Sequence, residues 1–304
     1  MNRKPVDGPW GGGNHFLIGM VEECKKRGWQ VTHTMERDVD IIYLHDPRPD
    51  ELGVGINEAI QYKTYFPGCL IVHRVNECDA RKATTGVDNL LKQTSMYTGM
   101  TIFVSEWMKQ YHLKNGWHCD TNIVFYNGVK KDHFFEREKL SNGKINIVTH
   151  HWSSNYLKGF DVYNLLDEWV SSNQDYTFTY IGREQGTFKN TKVIPPLFGK
   201  ALGEELGKYD VYVSASRFDP GPNHILESLA CNIPTYSHVD GGGAVEFSGE
   251  SHTYKDFDEL KNILLSKNFS KNNLVPNDWK KIMSGLCDQL ELKVGHEKSK
   301  NSLF

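Results

Sequence analysis

The chain has 304 residues, 38% hydrophobic and 24% charged, enough apolar mass for a packed core and, at roughly 150 residues per domain, for about two domains. Its 35 Lys+Arg against 38 Asp+Glu give a net charge of -3, which lacks the basic footprint of a nucleic-acid-binding protein. No apolar run approaches the roughly 18 residues of a membrane span, no signal-peptide segment opens the chain, and the six cysteines (Cys24, Cys69, Cys78, Cys119, Cys231, Cys287) show no C-x-x-C spacing, so reduced thiols, no zinc site and a cytoplasmic protein are expected.

In chain order, a very short candidate strand at residues 4–7 precedes a glycine loop, Gly11-Gly12-Gly13-Asn14-His15. A helix over about residues 15–27 follows, with Phe16, Leu17, Met20, Val21 and Cys24 on one face. Glycines let backbone approach a ligand without a Cβ in the way, and a helix start behind them suits phosphate or sugar hydroxyls; a tight turn would use the same triplet. Apolar runs rich in Ile, Val, Tyr and Phe recur at residues 40–45, 70–75, 101–105 and 123–126. They resume at 145–149, 177–182, 210–214 and 234–238, after a polar stretch at 137–144 that reads as a linker. Such runs, alternating with helices, predict two α/β halves, each a doubly wound parallel sheet, facing each other across a cleft.

Ligands of open parallel sheets bind beyond the carboxyl ends of the strands. His73 ends one such run and Arg74, Asn76 and Asp79 crowd the same segment, so a cleft-facing group or a satisfied polar cap is expected there. Lys158-Gly159 follows the run at 145–149; this lysine either neutralises a diphosphate or is simply solvated. The strongest local feature is Asp219-Pro220-Gly221-Pro222-Asn223-His224-Ile225-Leu226-Glu227, which opens a helix over residues 224–231. Gly221 and the N–H groups of Asn223 and His224 make an anion-friendly helix start, and Glu227, one turn in, can reach a nucleotide ribose. Asp219 and Glu227 do not suit a glycosidase pair. Eight helical steps span about 12 Å, against the roughly 5–9.5 Å such pairs need. The strings Asp38-Val39-Asp40 and Asp256-Phe257-Asp258 read as a strand entrance and a helix N-cap at Asp256, so no metal site is expected.

Together these residues resemble glycosyltransferase family 4, retaining enzymes of the GT-B fold. Asp219-x7-Glu227 followed by Ala230-Cys231-Asn232-Ile233-Pro234 and a G-G-G-A-V-E string ending at Glu246 is similar to the family's E-x7-E and A-x-G-x-P signature. Asn127-Gly128-Val129 with Asp132 and Phe134 resembles its domain-crossing N-G-V-D-x-x-x-F, and Lys158-Gly159 its K-G phosphate motif. The resemblance implies an N-terminal acceptor-side domain at 1–138, a donor domain at 139–275, and a segment at 276–304 whose helix returns to the first domain before a frayed tail. It implies that Asp219 holds the donor hexose, Glu227 the ribose and Lys158 the diphosphate. Gly221, Asn223 and His224 complete the donor site. His73 lines the anomeric centre, Gly12 and Gly13 approach the donor phosphate or the acceptor, and Asn14, His15, Arg74, Asn76 and Asp79 lie on the acceptor side. The implied reaction moves a hexose from a nucleotide-diphosphate sugar, GDP-mannose first and UDP-sugars next, to a glycan or protein-linked glycan. It needs no metal or other cofactor, and a homodimer is one assembly such enzymes form.

Three departures stand out. Asp219 is one methylene shorter than the usual Glu, Pro220 and Pro222 remove two N–H groups, and the arginine expected before K-G is replaced by the neighbourhood of His151-Trp152-Ser153, leaving Lys158 alone or helped by His150 or His151. The short length is similar to that of virus-encoded members such as chlorovirus ones, which would place the protein in a host cytoplasm. Two other readings are a non-catalytic nucleotide-sugar-binding module and an NAD-dependent dehydrogenase. The dehydrogenase lacks G-x-G-x-x-G and an acidic residue near His33-Thr34-Met35, where its second strand would end.

Overall fold

The computed structural model describes the backbone of residues 1–6 and 11–301 and the side chains of 1–6 and 11–296. The chain divides into two compact units, one of residues 1–79, 83–127 and 279 onward, the other of 80–82 and 128–278.

The first unit carries a parallel sheet of β1 (Ile41–Leu44), β2 (Leu70–Val75), β3 (Met100–Phe103) and β4 (Asn122–Val124), side by side in that order. Helices α1 (Gly12–Lys26), α2 (Ile56–Tyr65), α3 (Val87–Ser95) and α4 (Glu106–Lys114) alternate with the strands. Successive strand residues point to opposite faces. Tyr43, Val72 and Ile102 pack with Phe16, Met20 and Cys24 of α1 and with Met283, Leu286 and Leu290 of the last helix, Trp279–Asn301. Ile42, Leu44 and Ile71 pack with Ala59 and Tyr62 of α2. Each large apolar side chain so buried contributes about 1.5–3 kcal/mol. Arg27 also pairs with Asp288 and Glu291, whose side chains are 57% and 51% exposed. Such exposed pairs are worth about 0–1 kcal/mol each, so the apolar stripe, not the ion pairs, holds the last helix on this unit.

α1 begins at Gly12, three residues earlier than its apolar face predicts. Glycine is a poor helix former, but a Cβ at Gly13 would come within 2.8 Å of His45 Nε2, so the position is set by close approach. No strand forms over residues 4–6, and Asp7 lies outside the described residues. The last helix continues past residue 291 to Asn301.

The second unit has six parallel strands, β5 (Ile145–His151), β6 (Tyr176–Gly182), β7 (Lys192–Ile194), β8 (Val211–Ser214), β9 (Thr235–His238) and β10 (Thr253–Tyr254). Their order is β10-β9-β8-β5-β6-β7. Helices α5 (Phe160–Ser172), α6 (Gly199–Leu206), α7 (Asn223–Ala230), α8 (Gly243–Ser248) and α9 (Phe257–Ser266) complete it. From β5 the chain moves outward to β6 and β7, then returns to β8 on the other side of β5. That reversal is a topological switch point, where crossovers diverge and leave room at the strands' carboxyl ends. Ile147 belongs to the core under α5 with Phe160 and Tyr163, while Val148 belongs to the opposite core with Ile225 and Leu226 of α7. The polar stretch at 137–144 lies inside this unit, where Lys139 Nζ donates to the carbonyls of Gly207 and Tyr209 at 3.2 and 2.7 Å. Asp256 caps α9 by accepting from the Glu259 N–H at 2.9 Å, as its sequence position predicts. All six cysteines are free and buried. Among the described residues, no helix is long and apolar enough to cross a membrane.

Candidate active site

The switch point of the second unit gathers Lys158, Asp219, His224 and Glu227. Lys158 follows β5 in a 3-10 turn, and Gly159 behind it takes φ +96° as the N-cap of α5. A Cβ there would overlap Ala215, so only glycine lets the lysine loop lie against the end of β8. The Arg217 N–H donates to the Leu157 carbonyl at 2.9 Å. Arg217 also makes a bidentate pair with Asp161 in the first turn of α5, at 2.8 and 2.7 Å. Two-point pairs of this kind fix geometry as well as energy, so the loop after β5 and the loop after β8 are held together.

Across that junction Lys158 Nζ donates to Asp219 Oδ2 at 2.6 Å. Asp219 is 5% exposed. Burial alone would raise its carboxyl, but the Lys158 ammonium, with Arg81 and His224 behind it, holds it well below the usual carboxylate range. Its backbone is fixed by the bridge to Gly242 and by the Gly243 N–H, which donates to the Asp219 carbonyl at 2.8 Å.

α7 starts at Asn223 behind Pro222, which gives the helix no side-chain cap hydrogen bond. Cys231 is its C-cap, and Asn232 takes φ +56° just beyond, the left-handed residue that ends helices. Glu227 Oε2 meets His150 Nε2 at 2.8 Å. A carboxylate only accepts, so the imidazole nitrogen donates. His224 Nε2 lies 2.9 Å from Ser214 Oγ. Burial, then the Lys158 charge, lowers the His224 imidazole far below its ordinary range.

The two histidines ending β5 diverge because consecutive strand residues face opposite ways. His150 turns toward α7. His151 turns toward α5, where Tyr163 Oη lies 2.8 Å from its Nε2. That hydroxyl accepts from the Ala215 N–H at 2.9 Å, which leaves its own proton for His151. Burial, then neighbouring His224, lowers His151 far below its ordinary range. Neither histidine assists Lys158 in the way the missing arginine would: one is neutral and engaged by α5, the other is engaged by Glu227.

The first unit places the other expected residues as follows. His73 is fully enclosed in β2, its ring 6.4 Å from Trp117, and burial pushes its imidazole down to about 3. Arg74, 2% exposed, lies 3.9 Å from the Phe16 ring centre and donates to Asn127 Oδ1 at 2.8 Å; burial lowers it to about 10. Asn76 Nδ2 lies 3.5 Å from His45 Nε2. Asp79 accepts from the N–H groups of Val87 and Asp88 at the start of α3, at 3.1 and 3.0 Å. Asn14 exchanges two hydrogen bonds with the Val6 backbone, at 2.8 and 2.7 Å. His15 sits in the first turn of α1, half-buried.

The sequence did not single out His150 as a partner of Glu227. The available signal was the period of two, which sends His150 to the same face as Val148 and therefore to α7.

No protein-family model matches this sequence, and no curated protein matches it. Solved structures do. The chain is similar to HepE from Anabaena, solved with UDP and glucose (13% identity, TM-score 0.65, 94% of this chain and 97% of that one). It is similar to sucrose-phosphate synthase from Thermosynechococcus elongatus (13% identity, TM-score 0.62, 97% and 94%). It is also similar to WaaG, a glycosyltransferase involved in lipopolysaccharide biosynthesis (11% identity, TM-score 0.56, 96% and 91%). With two all-parallel α/β units and these neighbours along nearly its whole length, the chain has the GT-B fold of glycosyltransferases.

Proposed function

We propose that the protein is a nucleotide-sugar-dependent glycosyltransferase, and that its second unit is the donor-binding unit. The observation that carries this is the convergence, at the switch point of the second sheet, of one lysine and one carboxylate on the loops after β5 and β8 and a second carboxylate on α7, whose sequence spacing ties them to donor recognition. In this reading Glu227 accepts from the ribose hydroxyls, Asp219 from the hexose hydroxyls, and Lys158 neutralises the diphosphate as it leaves. Gly221, Asn223 and His224 form the donor-side helix start. Gly12 and Gly13 approach the donor phosphate or the acceptor. His73 and Arg74, which the resemblance puts at the anomeric centre and on the acceptor side, are enclosed in the first unit and are given no substrate contact here; Asn14, His15, Asn76 and Asp79 are placed on the acceptor side. The acceptor is a glycan or protein-linked glycan, and the protein acts in the cytoplasm, as a homodimer if it self-associates.

The reaction retains anomeric configuration, as in glycosyltransferase family 4. The bond from the anomeric carbon to the diphosphate oxygen breaks and a bond from the same face to the acceptor oxygen forms. The acceptor proton passes to the departing phosphate, so no protein carboxylate is needed as a base. Lys158 supplies the positive charge at the leaving group, and the reading assigns no metal. GDP-mannose, tested first because mannosyltransferases are numerous in that family, is set beside UDP-glucose, with which HepE has also been solved.

The test is a transfer assay with both donors and a panel of glycan acceptors, with and without a chelator. The expected result is an α-linked product from one of these α-linked donors, at a rate within about twofold of the chelator-free rate. Loss of activity on chelation, or a product of inverted configuration, contradicts the mechanism. Binding without turnover would favour the non-catalytic module.

A further inference from the structure

Glu227 is 18% exposed at its side chain, and behind it His150 is 9% exposed. Among the described residues, the bond between them is the only side-chain hydrogen bond of either residue. His150 Nδ1 is enclosed without a partner, so the ring is anchored by its side chain at one point only, the Glu227 carboxylate. Its backbone is fixed independently: the His150 N–H donates to Tyr212 Oη at 3.1 Å, and that hydroxyl donates back to the His150 carbonyl at 3.3 Å. The Tyr212 ring stands edge-on to the imidazole, with ring centres 5.5 Å apart. The His224 ring closes another side at 6.1 Å. The imidazole is therefore a donor on a backbone fixed between β5 and β8, flanked by two rings and directed at one oxygen of a carboxylate on α7.

A glutamate on a helix has several rotamers, and a ribose grip needs one of them. We infer that His150 is the positioning residue of the ribose site: by donating Nε2–H to Glu227 Oε2 it fixes the carboxylate so that Oε1 is presented to the ribose hydroxyls, and in doing so it sets the preference for ribonucleotides over deoxyribonucleotides. The inference rests on the reading of Glu227 as the ribose ligand. His150 touches no substrate in this arrangement; it acts only through Glu227.

The experiment measures binding of UDP and GDP, each against its 2′-deoxy counterpart, by calorimetry on the full chain. Wild type should favour the ribonucleotide by about tenfold, the worth of one hydrogen bond to a charged acceptor. His150→Ala should reduce that preference to about twofold or less, while affinity for the 2′-deoxy nucleotide changes by less than about threefold. His150→Gln, whose amide can reach the place of Nε2, should restore part of the preference; His150→Asn, whose amide stops short, should not. The Gln and Asn pair decides the matter if the Ala variant fails to fold. Glu227→Ala should abolish the preference, and adding His150→Ala to it should change nothing further. If His150→Ala and His150→Asn keep the tenfold preference while Glu227→Ala loses it, the positioning role is overturned and the ribose reading stands. If Glu227→Ala also keeps the preference, or wild type shows none, the ribose reading fails and the inference falls with it.

Discussion

Asp219→Asn should separate donor from free nucleotide. The carboxylate lies 2.6 Å from Lys158 Nζ, the cation expected to meet the diphosphate. In the unliganded protein the two charges satisfy each other, so a diphosphate must share Lys158 with an anion already in hydrogen-bond contact. Removing that anion at constant size frees the ammonium. Unit charges about 4 Å apart interact by up to about 4 kcal/mol near a protein surface, and solvent takes back most of it. Free nucleotide diphosphate should bind as well as to wild type or up to about tenfold tighter, a gain of about 1.4 kcal/mol. The intact donor loses a charged acceptor for its hexose hydroxyls, worth about 1.5–3 kcal/mol, so kcat/KM should fall roughly 10- to 100-fold. Titration with nucleotide and steady-state kinetics with donor read the two effects separately. Equal loss of both would contradict the assigned roles.

Lys158→Met should be the most damaging single change, for binding and for stability. It strips the leaving group of its cation, and losing one preorganised charge of this kind costs about 10²–10³ in kcat. It also leaves Asp219 buried without its nearest counter-ion, an uncompensated charge that costs about 3–5 kcal/mol. The pH dependence identifies the cause. In wild type the folded Asp219 carboxyl lies below its ordinary value, so its contribution is fully present above about pH 4 and is lost only as pH falls through the depressed folded value. In the variant only Arg81 and His224 oppose the burial that raises the carboxyl, so the folded carboxyl is expected to rise above its unfolded value. Its penalty is then largest at neutral pH and is relieved as pH falls through that raised value. The stability gap between the two proteins should therefore be widest near pH 7 and narrow toward pH 4 in denaturant titrations. Adding Asp219→Asn to Lys158→Met should recover much of the loss. A gap constant across that range, with no recovery in the double variant, would show that Asp219 is not the reason.

Much of the second unit was legible because parallel strands buried on both faces read as short runs without charged residues, rich in β-branched and aromatic residues; β5, β6, β8 and β9 are of this kind and are buried along nearly their whole length. β7 and β10 were not foreseen. They are edge strands of three and two residues, β7 exposed at two of its positions, and such short edges leave no periodic signal. Gly159 and Asn232 lie at helix boundaries, and both take positive φ. The pairings that shape the site were beyond reach. Lys158 with Asp219 and His150 with Glu227 join residues far apart in sequence, brought together only because β8 returns beside β5. The sequence named Lys158, Asp219 and Glu227 by their place in motifs, but it could not show that Lys158 is already neutralised or that Glu227 is held from behind. In the first unit His73 reads as the end of an apolar run, but β2 continues to Val75 and holds His73 inside the sheet; its full enclosure against Trp117 depends on the loop beyond α4.

The second unit is proposed to bind a nucleotide-diphosphate sugar, and calorimetry on the full chain reads this out, with UDP-glucose, GDP-mannose, their free diphosphates and NADH as titrants. Saturable binding of at least one sugar nucleotide and its diphosphate is expected, both weakened by Glu227→Ala, with no binding of NADH. Binding of NADH with none of any sugar nucleotide would contradict it.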